Sequence, residues 1–290
     1  MRRILSLVFL ATLVFSNAFA ESNPPEGIDR DWYVKHYDFY TIPDTFYTYE
    51  GEFVFPEGFH RPDSSSLTPF QFWVSHFPTW HSGKSVGAWG GSRYRVPDSI
   101  SRVVHFPWHT RGFRDCGIPI RLMGEFLRYQ HREFDLKIIP KNGVTITYEE
   151  FLKGKPVYNN RGALRFNPDK QRDTSMKEFN RSVYLGMRNT TYQSLTANCD
   201  SITPIELAPG DLYVGHDEKS SEGFAYVIMN MLVNDEGEKI YTFATGCALT
   251  CDFHVPLVSE DRRNPWLTVE QIIEYAPDFE QTGFFRLPIQ

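Results

Sequence analysis

Leu207-Ala208-Pro209-Gly210-Asp211-Leu212-Tyr213-Val214, followed by Phe224-Ala225-Tyr226-Val227-Ile228-Met229-Asn230-Met231-Leu232-Val233 and then Ile240-Tyr241-Thr242-Phe243-Ala244, is the stretch that decides the fold. Pro209-Gly210-Asp211 is a turn that feeds the first apolar run. The second and third runs are rich in β-branched and aromatic residues and are separated by a short loop carrying Asn234-Asp235-Glu236-Gly237, the pattern of a hairpin. The second run is too continuously apolar for a sheet with one wet face. It predicts a strand covered on both sides, with helices supplying the cover. The expected class is α/β (α+β), with N-terminal helices packed on a mostly antiparallel sheet.

The helices lie mostly upstream. Thr68-Pro69 pairs a capping residue with Pro at the first helical position, Phe70, Trp73, Val74 and Phe77 follow at helical spacing, and Pro78 stops the run. Asp115-Cys116 opens a second helix with Asp115 as cap, in which Pro119 is tolerated because it lies in the first turn, and Ile120, Met123, Phe126 and Leu127 form the buried stripe. Thr147 to Glu150 is a capping box before a short helix ending at Gly154. Asp173-Thr174 opens a helix with Met176, Phe179, Val183 and Met187 along one face and an end near Asn189-Thr190-Thr191, and Thr268 to Gln271 caps a last helix reaching Ala276. Residues 53–59 are expected as a short strand and turn, 100–106 as a strand, His254 to Val258 as a short edge strand and Phe284 to Leu287 as a closing strand, while residues 159–172 are expected as an exposed loop.

At the N-terminus, Arg2-Arg3, the apolar run from Ile4 to Phe15 and Ala18-Phe19-Ala20 have the layout of an export signal cut after Ala20. The expected organisation is a signal peptide over 1–20, an irregular segment over 21–52 and a single domain over 53–290, secreted or periplasmic and with no transmembrane segment. Loss of Arg2 and Arg3 takes the formal charge from −6 to −8. This acidic balance, without a Lys/Arg stripe, argues against a nucleic-acid partner. Four cysteines are too few to staple a chain of this length, so its core must hold it together. In an oxidising compartment they allow two disulfides in any of three pairings.

Cys116 is the candidate nucleophile. A thiol at a helix N-terminus has its thiolate favoured by the helix dipole, and Arg111 and Arg114 stand close in sequence. A cysteine nucleophile needs a base, and His216 and His254 are the candidates, each also readable as an ordinary surface or edge histidine. His105 and His109 are spaced i, i+4, but Pro107 between them forbids the regular helix that would align them for zinc, so no metal and no cofactor is expected. Cys247-Ala248-Leu249-Thr250-Cys251 reads best as a loop closed by a local disulfide between Cys247 and Cys251.

Residues 56–61 (Pro-Glu-Gly-Phe-His-Arg), Phe72-Trp73 before Phe77-Pro78, the Asp115-Cys116 helix, Ser194-Leu195-Thr196, and Glu206 to Asp211 ahead of Gly223-Phe224-Ala225-Tyr226 together resemble an uncharacterised family of exported bacterial proteins, domain of unknown function 4846. The resemblance runs from about Phe53 to Pro288. That family is distantly similar to papain-like NlpC-type amidases that cut cell-wall peptides, which implies a Cys on a helix and a His at the next strand start. Members commonly show Gln-Gln-Cys-Ala-Asp at the helix and Gly-His-Ala at the strand. Here Phe224 occupies the His position, and either Cys116 or Asp115 falls on the family cysteine, depending on register. Phe cannot accept a proton, and loss of a general base forfeits a factor of about a hundred to ten thousand. A histidine at position 224 is expected to rebuild part of a dyad if Cys116 faces the cleft.

The expected role is therefore an exported papain-like domain with a degenerate catalytic set that binds a peptide, glycan or envelope protein. The alternatives are a thiol amidase using Cys116, or a structural envelope protein. The mature chain is expected to begin at Glu21. N-terminal sequencing of the exported form checks this, and an uncut chain starting at Met1 contradicts it.

Overall fold

The computed structural model describes residues 30–37, 47–88, 93–95, 99–106, 114–140, 145–158, 164–168, 172–219, 222–246 and 251–289. In chain order the helices are α1 (Arg30–His36), α2 (Tyr49–Glu52), α3 (Pro69–Ser75), α4 (Ile118–Tyr129), α5 (Tyr148–Lys153), α6 (Met176–Asn189), α7 (Tyr192–Ala197) and α8 (Val269–Tyr275). The strands are β1 (Val86–Gly87), β2 (Arg93–Arg95), β3 (Ile100–Val103), β4 (Lys137–Ile138), β5 (Ile146–Thr147), β6 (Gly154–Tyr158), β7 (Leu164–Pro168), β8 (Asp200–Ile202), β9 (Leu212–His216), β10 (Gly223–Val233), β11 (Lys239–Thr245), β12 (His254–Pro256) and β13 (Gln281–Arg286). Among them is one sheet of seven strands in the order β3-β12-β11-β10-β9-β13-β8, antiparallel throughout. No helix among the described residues is long and apolar enough to cross a membrane.

β10 is the centre of this sheet and is buried on both faces, as its sequence predicts. Ala225, Val227 and Met229 face one apolar cluster with Leu212, Val214 and Ala244, beneath α4 and α6, while Phe224, Tyr226 and Ile228 face a second with Tyr213, Phe243 and Phe284. A bulge between Ile228 and Asn230 inserts one residue against β11, so Met231 joins the second cluster and Leu232 the first. The Asn230 amide, buried at this step, donates to the Ser75 carbonyl at 3.0 Å and ties the strand to α3. On the second face the rings of Tyr213 and Phe284, and of Tyr226 and Phe243, stack at 4.6 and 4.5 Å. Gly210 sits at φ +86° ahead of β9, where a Cβ would come within 2.6 Å of the Phe70 ring.

Several local expectations change. α4 has no wet face: every residue from Ile118 to Arg128 is buried, with Glu125 taking both Arg121 and Arg128 as partners, and Arg121 also reaching the Tyr184 hydroxyl. β12 is interior rather than an edge, because β3 pairs along its outer side. Within residues 159–172, where an exposed loop was expected, Leu164–Pro168 form β7, paired antiparallel with β6. Residues 53–59 form the expected turn, at Gly58, but no strand, and the bridge to Val233 is made by His60. α6 begins at Met176 with Ser175 as its cap, which leaves Met176 exposed. Within the segment 21–52, α1 buries Tyr33. Cys251 is disulfide-bonded while Cys116 and Cys199 are free thiols; Cys247, its expected partner, lies outside the described residues.

Leu212 is fully buried under the helices and Ile205 is 80% exposed. Leu212→Ala should therefore cost about 2–5 kcal/mol in urea unfolding, whereas Ile205→Ala should stay within about 0.5 kcal/mol. Equal effects would contradict this placement of the core.

Candidate functional site

The N-terminal end of α4 is where the chemistry was expected. Asp115, Cys116 and Gly117 form a single 3₁₀ turn capped by Arg114, so the carboxylate does not cap the helix as expected. It turns instead toward the sheet. Its Oδ1 accepts from the Tyr192 hydroxyl at 2.5 Å and from the Cys116 backbone N–H at 3.0 Å, and its Oδ2 accepts from the Ala225 N–H at 3.2 Å. One buried carboxylate thus joins the turn, the start of α7 and the start of β10. Two glycines let these groups close: a Cβ on Gly223 would meet the Tyr192 ring at 2.7 Å, and one on Gly246 would meet the Asp115 Cβ at 3.1 Å.

Cys116 points the other way. Its side chain is fully buried and its Sγ donates to the Thr190 carbonyl at 3.5 Å, at the C-terminal end of α6. Burial pushes the thiol far above its ordinary range and the charge of Asp115 adds to this, outweighing Arg114, which acts in the opposite direction. The helix terminus therefore does not deliver a thiolate here. Arg111 lies outside the described residues.

Phe224 faces neither group. Strand alternation puts it on the second face of the sheet, away from α4, where its ring packs against Tyr213 and Tyr226 at 5.2 and 4.6 Å. Ala225 is the residue of that pair on the helix side. A histidine at 224 would accordingly enter the aromatic cluster rather than approach Cys116.

The two candidate bases stand apart. His254 is fully buried on β12, with Nδ1 2.8 Å from the Asp252 carbonyl oxygen. His216 ends β9, paired with Gly223 on one side and Gln281 on the other. Three strand spacings separate their strands, about 14 Å. Among the described residues neither imidazole is a hydrogen-bond partner of Cys116. His109 lies outside the described residues, and among those described no three His, Cys, Asp or Glu side chains group as a metal set requires.

His216 instead lines a pocket of about 340 Å³ between α7, β9 and β13, with Thr196, Ala197, Val214, Gln281 and Phe285. Tyr192 and this pocket both depend on α7, which sequence reasoning missed. Thr191 was read as a helix end, yet Thr191 and Ser194 form a reciprocal capping box that starts the next helix.

The fold and site define an α+β domain on a seven-stranded antiparallel sheet, with a carboxylate–phenol pair where a thiol was expected to face the strand. Residues 50–285 match the family described as domain of unknown function (4846), and the chain belongs to that family. No curated protein and no solved structure matches it.

Burial raises Asp115 from 3.8 to about 6, against the lowering effect of its hydrogen bonds to Tyr192, Ala225 and Cys116. Between these two values the folded chain holds a proton that the unfolded chain has released, so this contribution to stability is full below about pH 4 and is lost as pH rises through about 6. Its size is on the order of 3 kcal/mol. Urea unfolding from pH 3 to pH 7 should show this loss in the native chain relative to Asp115→Asn; parallel pH profiles for the two would contradict it.

Proposed function

We propose that the chain is an exported domain of papain-like descent that binds a peptide, glycan or protein partner and has no thiol hydrolase activity. The papain-like part is supported by the order of elements, a Cys-bearing helix ahead of an antiparallel sheet whose central strand starts opposite the helix N-terminus. The observation that carries the functional part is the orientation of Cys116: a fully buried thiol that donates to the Thr190 carbonyl has no path to substrate and, among the described residues, no base as a hydrogen-bond partner. Asp115 does not replace it as a nucleophile, because Tyr192 and two backbone N–H groups occupy its oxygens.

The native chain should leave wall peptides and generic amide substrates uncut, and Cys116 should resist a thiol-selective electrophile until the protein is unfolded. Mass mapping of the labelled protein and a hydrolysis assay read the two outcomes. Substantial turnover, abolished by Cys116→Ala and by His216→Ala or His254→Ala, would install the rival thiol amidase.

A further inference from the structure

The pocket beside His216 is built from acceptors. His216 is only 6% exposed, and its Nδ1 lies 3.3 Å from the Asp217 carbonyl oxygen, an atom that only accepts. The proton of the neutral ring therefore belongs on Nδ1, and Nε2 is a lone pair with no hydrogen-bond partner among the described residues. The Thr196 hydroxyl spends its proton on the Gln193 carbonyl at 3.0 Å and keeps its oxygen lone pairs. Gln281 donates one of its two amide N–H groups to Glu218 at 2.9 Å, and its Oε1 is an acceptor. Three side chains on three elements thus offer lone pairs to one cavity.

The surroundings have the matching charge. Glu218 lies against the lining residue Gln281, and the Glu280 carboxylate accepts from the Glu218 backbone N–H at 3.2 Å, so two carboxylates stand behind the Gln281 side of the pocket. Val214, Ala197 and Phe285 supply apolar wall, and about 340 Å³ is within the range of small-ligand sites. An anion would meet lone pairs and negative charge, and a wholly apolar ligand would cover His216 Nε2 without giving it a hydrogen bond, at a cost. A group with several N–H donors, positive charge and a short apolar stem satisfies every feature.

We propose that this pocket binds the primary ammonium of a lysine-like side chain carried by a peptide, with the ammonium on His216, Thr196 and Gln281 and the methylenes on Val214 and Phe285. This rests on the reading of the chain as a binding domain and gives that reading a ligand class.

The test titrates the chain from Glu21 with Nα-acetyl-lysine methylamide, following backbone amide shifts by NMR. Saturating shifts are expected at Val214, His216, Gln281 and Thr282. The norleucine analogue, which keeps the stem and lacks the ammonium, should bind at least about tenfold more weakly, the loss of a charge-assisted hydrogen bond. His216→Leu and Thr196→Val should each weaken lysine binding by about tenfold and leave the norleucine analogue unchanged. Thr196→Val alone decides if His216→Leu fails to fold. Equal binding of both analogues, shifts confined to other residues, or no shifts at millimolar ligand would overturn the proposal. Hydrolysis of wall peptides by the same sample would overturn the non-hydrolytic reading while leaving lysine-dependent shifts at these strands intact, so the two fail separately.

Discussion

A central strand with apolar side chains on both faces constrains everything else in this protein. β10 has to be shielded twice, so α4 and α6 close over one face while α8 and the rings of neighbouring strands close over the other. Because successive side chains alternate between faces, each position on β10 is committed to one cluster, and only the bulge at Ile228–Asn230 changes the phase. Three of the polar groups buried in this setting are held by partners on other elements. Asn230 is tied to Ser75, Asp211 to Arg286, and Asp115 to three donors.

The same commitment shapes the candidate site. A carboxylate buried at the helix start is stabilised by an adjacent hydroxyl and by backbone N–H groups, and each of its partners comes from a different element. It therefore fixes how the turn before α4, α7 and β10 meet. An ionised Asp115 next to Cys116 opposes a second negative charge, and the low-dielectric surroundings magnify that opposition. Burial is the larger cause that keeps the thiol neutral, and the residue that organises the site adds to it.

Much of the fold was legible in the sequence because its signals are local. The β10–β11 hairpin, the Thr68-Pro69 and Thr268 caps and the Thr147 helix start each rest on a few adjacent residues, and all appear where expected. What was not legible depends on contacts between distant segments. β12 looks like an edge until β3, some 150 residues earlier, pairs with its outer side. The buried charges of α4 look like a solvated face until Glu125 is seen between two arginines. The orientation of Cys116 depended on one residue of helical register: the 3₁₀ turn at Asp115 places the carboxylate toward β10 and the sulfur toward α6. Tyr192 was hidden because two threonines in succession, one ending a helix and the next starting another, read as a single terminus.

Building thiol chemistry on this framework would take more than a base. A histidine at position 224 would replace a ring in the Tyr213–Tyr226 cluster and would meet no sulfur. Position 225 has the correct face, but the Asp115 carboxylate already holds its backbone N–H, and position 223 is pressed against the Tyr192 ring. Turning Cys116 toward the sheet would require the 3₁₀ turn to rewind by about a residue, which would carry Asp115 away from Tyr192 and leave a buried hydroxyl and two backbone N–H groups without an acceptor. Several hydrogen bonds therefore oppose each route at once. The polar groups at this end of the sheet thus lock the turn before α4, α7 and β10 together, and the pocket beside His216 lies one strand over, along β9 and β13.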